Sequence, residues 1–189
     1  MRNLCFCLRQ LCRIEGIVWI RLMYCYEDRI TDELIAVMVT EPKICHYIDI
    51  PIQHAADTVL TAMNRRSTGA SIRTTIRKLR EAIPDMHIRT TLIVGFPGET
   101  EDDFEALLDF VETMRFERIG VFAYSREEGT PAGEMENQID EAVKEARLDA
   151  IMRRQLEISL AVNEAKIGKT FTVLVEERDA DGSYIGRTA

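Results

Sequence analysis

The sequence predicts an α/β fold built on a parallel sheet, and three observations carry that reading. Short apolar, β-branched runs recur: "IVWIRLMY", "YIDIPI", "HIRTTLIV" and "RIGVFAY". Segments with apolar residues at helical spacing lie between them. Pro, Gly and capping residues punctuate the passages from one kind of segment to the next. Strand alternating with helix means βαβ units, and their crossovers leave the strands parallel.

Taken in order, the first strand spans Ile17 to Tyr24 as a buried run, and the helix Thr31 to Val39 follows with Thr31 as its N-cap and acids in the first turn. A second strand, Tyr47 to Ile52, ends at Pro51, which has no N–H for a ladder. Two helical pieces come next, Asp57 to Asn64 and Ser71 to Ile83, with Gly69 separating them and Pro84 closing the second. His87 to Val94 is the third strand.

The helix Glu101 to Arg115 gives the clearest pattern. Phe104, Leu107, Leu108, Val111 and Met114 share one face, and Thr100 with Asp103 makes a capping box. Arg118 to Tyr124 is the fourth strand. A long helix, Asp140 to Lys166, carries the stripe Leu148, Ile151, Met152, Leu156 and Leu160, and Gly168 ends it. Two β runs then flank the Asp181–Gly182 turn, a hairpin signal that breaks the βα rhythm. A lone hairpin is too small to be stable, so it reads as the start of a separate β module.

Composition narrows the function classes. The chain has 189 residues, 46% hydrophobic and 30% charged, as ordinary globular proteins do. Its formal net charge of -8 argues against a general nucleic-acid surface and suits a basic protein partner. There is no run of apolar residues long enough for a membrane span. The start, "MRNLCFCLRQLCRIEG", lacks the uninterrupted apolar stretch and cleavage site of a signal peptide. Five cysteines, odd in number and crowded into the first quarter, do not form a secreted disulfide scaffold; they place the chain in a reducing cytoplasm.

The informative stretch is "RTTLIVGFPGET". Parallel sheets bind ligands at the carboxyl ends of their strands, where this loop sits. Gly95 and Gly98 let backbone approach a flat ligand or take positive φ, Pro97 stiffens the turn, and Glu99 offers acceptors to a ribose or an amine. The same stretch also fits a plain βα turn with an acid at a helix N-terminus. Companions gather on the same rim: Asp49, Gln53 and His54 after one strand; Tyr124, Ser125, Arg126 and Glu127 after another. Each has a structural alternative, His54 as a buried hydrogen-bonder and Tyr124 as core with a wet tip.

Together, "YIDIPIQHAADTVLTAMNRRST", "IRTTLIVGFPGET", "RIGVFAYSREEGTPA" and "IEGIVWIRLMY" resemble the radical S-adenosylmethionine methylthiotransferases, from about Leu8 to the last residue. "IPIQHAAD" and "AYSREEGTPA" resemble the RimO-type branch, which modifies an aspartate of a ribosomal small-subunit protein. The resemblance implies a partial open (β/α) barrel over residues 8–166 and the start of a small β-barrel, TRAM, from residue 167. It implies S-adenosylmethionine and [4Fe-4S] clusters as cofactors, with a cluster cleaving S-adenosylmethionine to a radical that abstracts hydrogen from the substrate. It implies that Asp49, Gln53, Gly95, Glu99 and Tyr124 line the S-adenosylmethionine pocket, and it assigns no catalytic residue. The partner implied is a basic substrate loop of the ribosomal protein, with nucleic acid met only through the ribosome.

The sequence departs from that family in one respect that matters. The radical cluster needs Cys-x-x-x-Cys-x-x-Cys, and this chain lacks it; Cys5, Cys7 and Cys12 have another spacing, open to incidental iron binding. Residues 1–7 do not read as family sequence and are expected to be a non-native leader. The chain is thus expected to be a methylthiotransferase fragment, inactive alone, with the apolar edge of "IVWIRLMY" exposed to association. The alternatives are a tRNA methylthiotransferase of the MiaB type, a non-catalytic acidic protein-binding remnant and, last, an unrelated (β/α) enzyme with a phosphate site at Gly95–Gly98.

Overall fold

A computed structural model describes residues 3–189 of the protein. Four strands, β1 (Ile20–Leu22), β2 (Ile44–Gln53), β3 (His87–Val94) and β4 (Arg118–Ala123), form one parallel sheet in the order β1-β2-β3-β4. The helices are α1 (Leu4–Cys12), α2 (Asp32–Thr40), α3 (Asp57–Ala62), α4 (Gly69–Ala82), α5 (Glu101–Met114) and α6 (Glu141–Glu164). An antiparallel hairpin, β5 (Val173–Arg178) with β6 (Tyr184–Thr188), closes the chain. This is the α/β architecture that the alternation predicts.

Period-two alternation decides which face of the sheet is core. Ile48, Ile50 and Ile52 of β2 and Ile88, Thr90, Leu92 and Val94 of β3 are buried on one face. Register pairs Ile48 with Ile88 and Ile50 with Thr90, so the apolar sets coincide. Helices cover that face with Val37 and Met38, Ile72, Ile76 and Leu79, Leu107, Phe110 and Val111, and Ile151. Tyr47, Asp49, Gln53, Arg89, Thr91 and Ile93 alternate onto the opposite face. There Arg89 pairs with Asp49 at 3.2 Å, and Phe122 of β4 is 60% exposed.

Several element boundaries differ from the sequence expectation. The run Ile17 to Tyr24 yields a strand of only three residues with a single buried member, Leu22. It has a partner on one side only, and Tyr24 leaves it with φ 57. Proline does not end β2: the strand passes through Pro51 to Gln53, and the ladder shifts register between Ile50 and Gln53. Gly69 does not separate helices but opens α4. Thr68 caps it reciprocally with Ser71, and the Gly69 N–H donates to Asp57 at 2.7 Å, tying α4 to α3. The capping box of α5, Thr100 with Asp103, forms as read. Its buried face centres on Phe110 as well as Phe104, Leu107 and Val111, leaving Leu108 and Met114 at the margin.

The long helix is rotated from its expected face. Lys144, Arg147, Ile151, Gln155 and Ile158 are buried, whereas Met152, Leu156 and Leu160 are 42%, 72% and 57% exposed. Polar contacts fix that rotation. Lys144 Nζ donates to the Tyr124 carbonyl at 3.0 Å, and Gln155 Nε2 donates to that of Phe116 at 3.1 Å.

α1 packs on α2 through Cys5 and Leu8, with Asn3 as its N-cap; of the expected leader, Met1 and Arg2 lie outside the described residues. The hairpin is exposed along both strands and meets the sheet where Arg21 donates to the Thr188 carbonyl at 2.6 Å. Among the described residues no helix is long and apolar enough to cross a membrane.

Candidate functional site at the carboxyl ends of the strands

A cavity of about 720 Å³ opens where the strands end. Gln53 reaches it from β2, Ile93 and Phe96 from β3 and its loop, Tyr124 from the end of β4, and Tyr26 from the segment after β1. Residues 62–67, from the last residue of α3 onward, and Thr130, Pro131, Ala132 and Met135 complete the wall. The sequence reading anticipated Gln53 and Tyr124 on one rim, and the fold brings them there together.

Both carry polar atoms with no use inside the protein. The Gln53 Oε1 and the Tyr124 hydroxyl are buried without a hydrogen-bond partner. Such atoms are destabilising unless something fills them, so two in one cavity point to a ligand that donates and accepts hydrogen bonds. Gln53 also holds φ 75, a left-handed backbone rare for a residue with a side chain. The Tyr124 ring stands edge-on to Phe96, centroids 5.3 Å apart. With Ile93, Met63 and Met135 these rings make apolar walls of the kind a flat heterocycle occupies.

The loop after β3 is closed on itself. Glu99 is 2% exposed, and one of its oxygens accepts from the Gly95 N–H at 2.5 Å and the Phe96 N–H at 3.2 Å. Its other oxygen receives Arg147 Nη1 at 2.9 Å, and Nη2 of the same arginine reaches Glu101 at 3.0 Å. Burial pushes the Glu99 carboxyl upward, opposed by Arg147 and the two backbone amides. With its lone pairs committed to loop and helix, Glu99 positions the wall and does not line the cavity. Gly95 is likewise turned inward. A Cβ there would lie 2.3 Å from Lys144 Cγ, and its φ is +70. A Cβ at Gly98 would lie 2.4 Å from the Asn137 amide. The close approach expected of a ligand at these glycines is made instead by the protein's own side chains.

Asp49 sits deeper, 2% exposed, bonded to Arg89 with its other oxygen unpartnered, and is not part of the cavity wall. His54 is fully buried. Its Nδ1 accepts from the Ala56 N–H at 3.0 Å, which places the ring proton on Nε2, 3.9 Å from Glu99. Burial is the main cause that lowers its pKa to about 4, so it is neutral at pH 7. Ser125 bonds Glu127 at 2.9 Å and Arg126 bonds the Gly133 carbonyl at 2.7 Å; both brace the loop after β4. Sequence reasoning missed Arg29, Arg65 and Arg66 on the rim, although "NRRS" directly after a helix is a visible signal. It also missed Lys144 and Arg147, one turn apart on a helix read for its apolar stripe.

The three early thiols do not form a cluster site. Cys5 is buried, Cys7 exposed and Cys12 partly exposed along α1, where two positions along a helix turn the side chain to the far face. Among the described residues no group of three His, Cys, Asp or Glu side chains is arranged to hold a metal.

The sequence pattern of the Radical SAM superfamily matches residues 8–111. The chain belongs to that superfamily. Among curated relatives it is similar to the ribosomal protein uS12 methylthiotransferase RimO of Alkaliphilus oremlandii, 54% identical over 96% of this chain and 42% of the relative. The proteins of the same name from Clostridioides difficile and Heliobacterium modesticaldum are 53% and 54% identical, over 96% and 95% of this chain and 41% and 39% of theirs. The chain therefore spans about two fifths of the length of the curated relatives it matches. Among solved structures, the radical SAM enzyme coproporphyrinogen III oxidase (HemN) of Escherichia coli shares the fold. Its TM-score is 0.62 at 18% identity, over 74% of this chain and 32% of that one.

Proposed function

We propose that this chain is the cofactor-binding part of a methylthiotransferase that modifies an aspartate of the ribosomal protein uS12. The observation that carries the reading is the convergence of Gln53, Phe96 and Tyr124 on one cavity at the strand ends, in a chain about half identical to RimO proteins along nearly its whole length. The cavity suits the adenosyl group of S-adenosylmethionine. Its apolar walls match a purine, and the unpartnered Gln53 Oε1 and Tyr124 hydroxyl match the donors of an amine or a ribose. Bound there, S-adenosylmethionine supplies a source of a carbon radical and of a methyl group. The chain's own residues hold the adenosyl group and exclude water. Glu99, through Arg147, keeps the loop carrying Phe96 closed against it.

The [4Fe-4S] clusters of the family find no ligand set among the described residues, so the activity of the whole enzyme is assigned to a protein that also carries them. In the same reading residues 8–166 belong to the barrel, and the exposed hairpin opens a TRAM-type β module. The expected substrate is a basic segment drawn by the acidic surface, in the cytoplasm.

Calorimetric titration with S-adenosylhomocysteine tests the site. Binding that falls about tenfold in both Gln53→Ala and Tyr124→Phe is expected, the loss of one buried hydrogen bond in each. Binding that ignores both substitutions would defeat the assignment.

A further inference from the structure

The amino ends of the strands, at the opposite end of the sheet from the cavity described above, carry cavities of their own. Two of them, of about 400 and 330 Å³, meet there and share His87, Lys166 and Thr188 in their walls. They lie between the sheet and the closing hairpin, and their linings differ in kind. Trp19 and Phe171, with Pro42 and Ile44, give the first an aromatic and apolar wall. In the second, Arg21, Arg89, Arg118 and Arg187 join Lys166 against one side-chain carboxylate, Glu117. Glu117 is already committed: it accepts from the Ile88 N–H at 2.8 Å and from Arg80 Nη2 at 3.3 Å. Arg89 and Arg187 pair with Asp49 and Glu176. Arg21 lies 4.4 Å over the Tyr47 ring and gives one Nη to the Thr188 carbonyl. Arg118 gives one Nη to the Glu117 carbonyl at 3.1 Å, and the half-buried Lys166 makes no ion pair among the described residues. A chain of net charge -8 thus gathers cations with unused donors in one enclosed place.

We propose that these two cavities form a binding site for a free nucleoside 5′-phosphate, with the base against Trp19 and Phe171 and the phosphate among Arg21, Arg118 and Lys166. Aromatic side chains stack the flat face of any base. Guanidinium and ammonium groups supply charge-assisted hydrogen bonds to phosphate oxygens. The two histidines of the aromatic cavity add acceptors. His46 Nδ1 lies 2.7 Å from the Asp85 carboxylate and His87 Nδ1 lies 3.0 Å from the Asp85 carbonyl. Each Nδ1 therefore carries the ring proton, and each Nε2 is left to accept from an exocyclic amine of the base. A single nucleotide fits this arrangement better than a nucleic-acid strand. A strand needs a run of phosphate contacts along the surface, which the overall negative charge opposes. No wall residue is shared with the cavity at the carboxyl ends, so the site stands independently of the adenosyl assignment.

Trp19 is the single tryptophan of the chain, so its fluorescence reports on this site and not on the other cavity. The experiment titrates adenosine 5′-monophosphate into the chain and follows that emission. Saturable quenching is expected, with adenosine, which lacks the phosphate, binding about tenfold or more weakly. Inorganic pyrophosphate should displace the nucleotide. The double variant Arg118→Gln/Lys166→Gln should bring the nucleotide down to the affinity of adenosine, whereas Phe171→Ala should weaken both compounds alike. Arg118→Gln alone, at an exposed position, serves if the double variant does not fold; it should narrow the gap between the two compounds. No quenching by the nucleotide, equal affinity for adenosine, or a phosphate preference that survives in the folded variants overturns the proposal. Displacement by hexaglutamate as effective as by pyrophosphate would make the cations a general anion patch and overturns it. So does quenching by a short oligoadenylate where the mononucleotide gives none, which would hand the site to an RNA strand.

Discussion

The loop from Gly95 to Glu99 and the rim from Arg65 to Ser67 border the same cavity and are built in opposite ways. In the loop, the acid is consumed internally: Glu99 takes two backbone N–H groups and Arg147, and the glycines make room for Lys144 and Asn137. On the rim, Arg66 makes no ion pair among the described residues, and Arg65 is held by a carbonyl and a ring. A side chain saturated inside the protein sets shape; one left with unused donors is free to set affinity. Substitutions in the loop should therefore act on stability, and those on the rim on binding.

The largest effect is expected at Glu99. Glu99→Ala leaves Arg147, 8% exposed, without its buried carboxylate and with the surface Glu101 as its remaining ion-pair partner among the described residues, and should reduce unfolding free energy by about 3–5 kcal/mol. Urea denaturation checks this, and removing Arg147 as well should restore part of the loss. Acid comes next. His54 titrates at about 4 in the folded chain against its ordinary 6.5, so the unfolded chain takes up the proton first. Stability should fall as pH drops from 6.5 toward 4, by on the order of 3 kcal/mol from this residue. Stability curves across that window should be flatter for His54→Asn. Gly95→Ala ranks third, destabilising by about 1–3 kcal/mol because the new methyl meets Lys144 and the backbone has φ +70. Arg66→Gln should change stability by less than about 0.5 kcal/mol, and a thermal melt shifted by several degrees would erase the contrast between loop and rim.

What the sequence made legible follows the same division. The strand His87–Val94 and the helix after it were readable because strict alternation, a capping box and a helical stripe all agree there. "IVWIRLMY" reads as eight residues of strand, yet only Ile20–Leu22 form one, because the ladder to β2 shifts register between Ile20 and Leu22 and the chain turns out of it at Tyr24 with φ 57. The face of α6 was misread because apolar count favoured Met152, Leu156 and Leu160, while the carbonyls of Tyr124 and Phe116 called Lys144 and Gln155 inward. Partners of that kind lie twenty and thirty-nine positions away, beyond any periodicity. At the site, Gln53 and Tyr124 were visible as polar residues ending strands. Glu99 was visible as well, but its commitment to Arg147, forty-eight positions on, was not.

Hydrogen exchange with 5′-methylthioadenosine present and absent examines the cavity most directly. Slower exchange confined to the segments holding Gln53, Phe96 and Tyr124 is the predicted result. Protection elsewhere, or none at a ligand concentration that saturates binding, would contradict an adenosyl site at the strand ends.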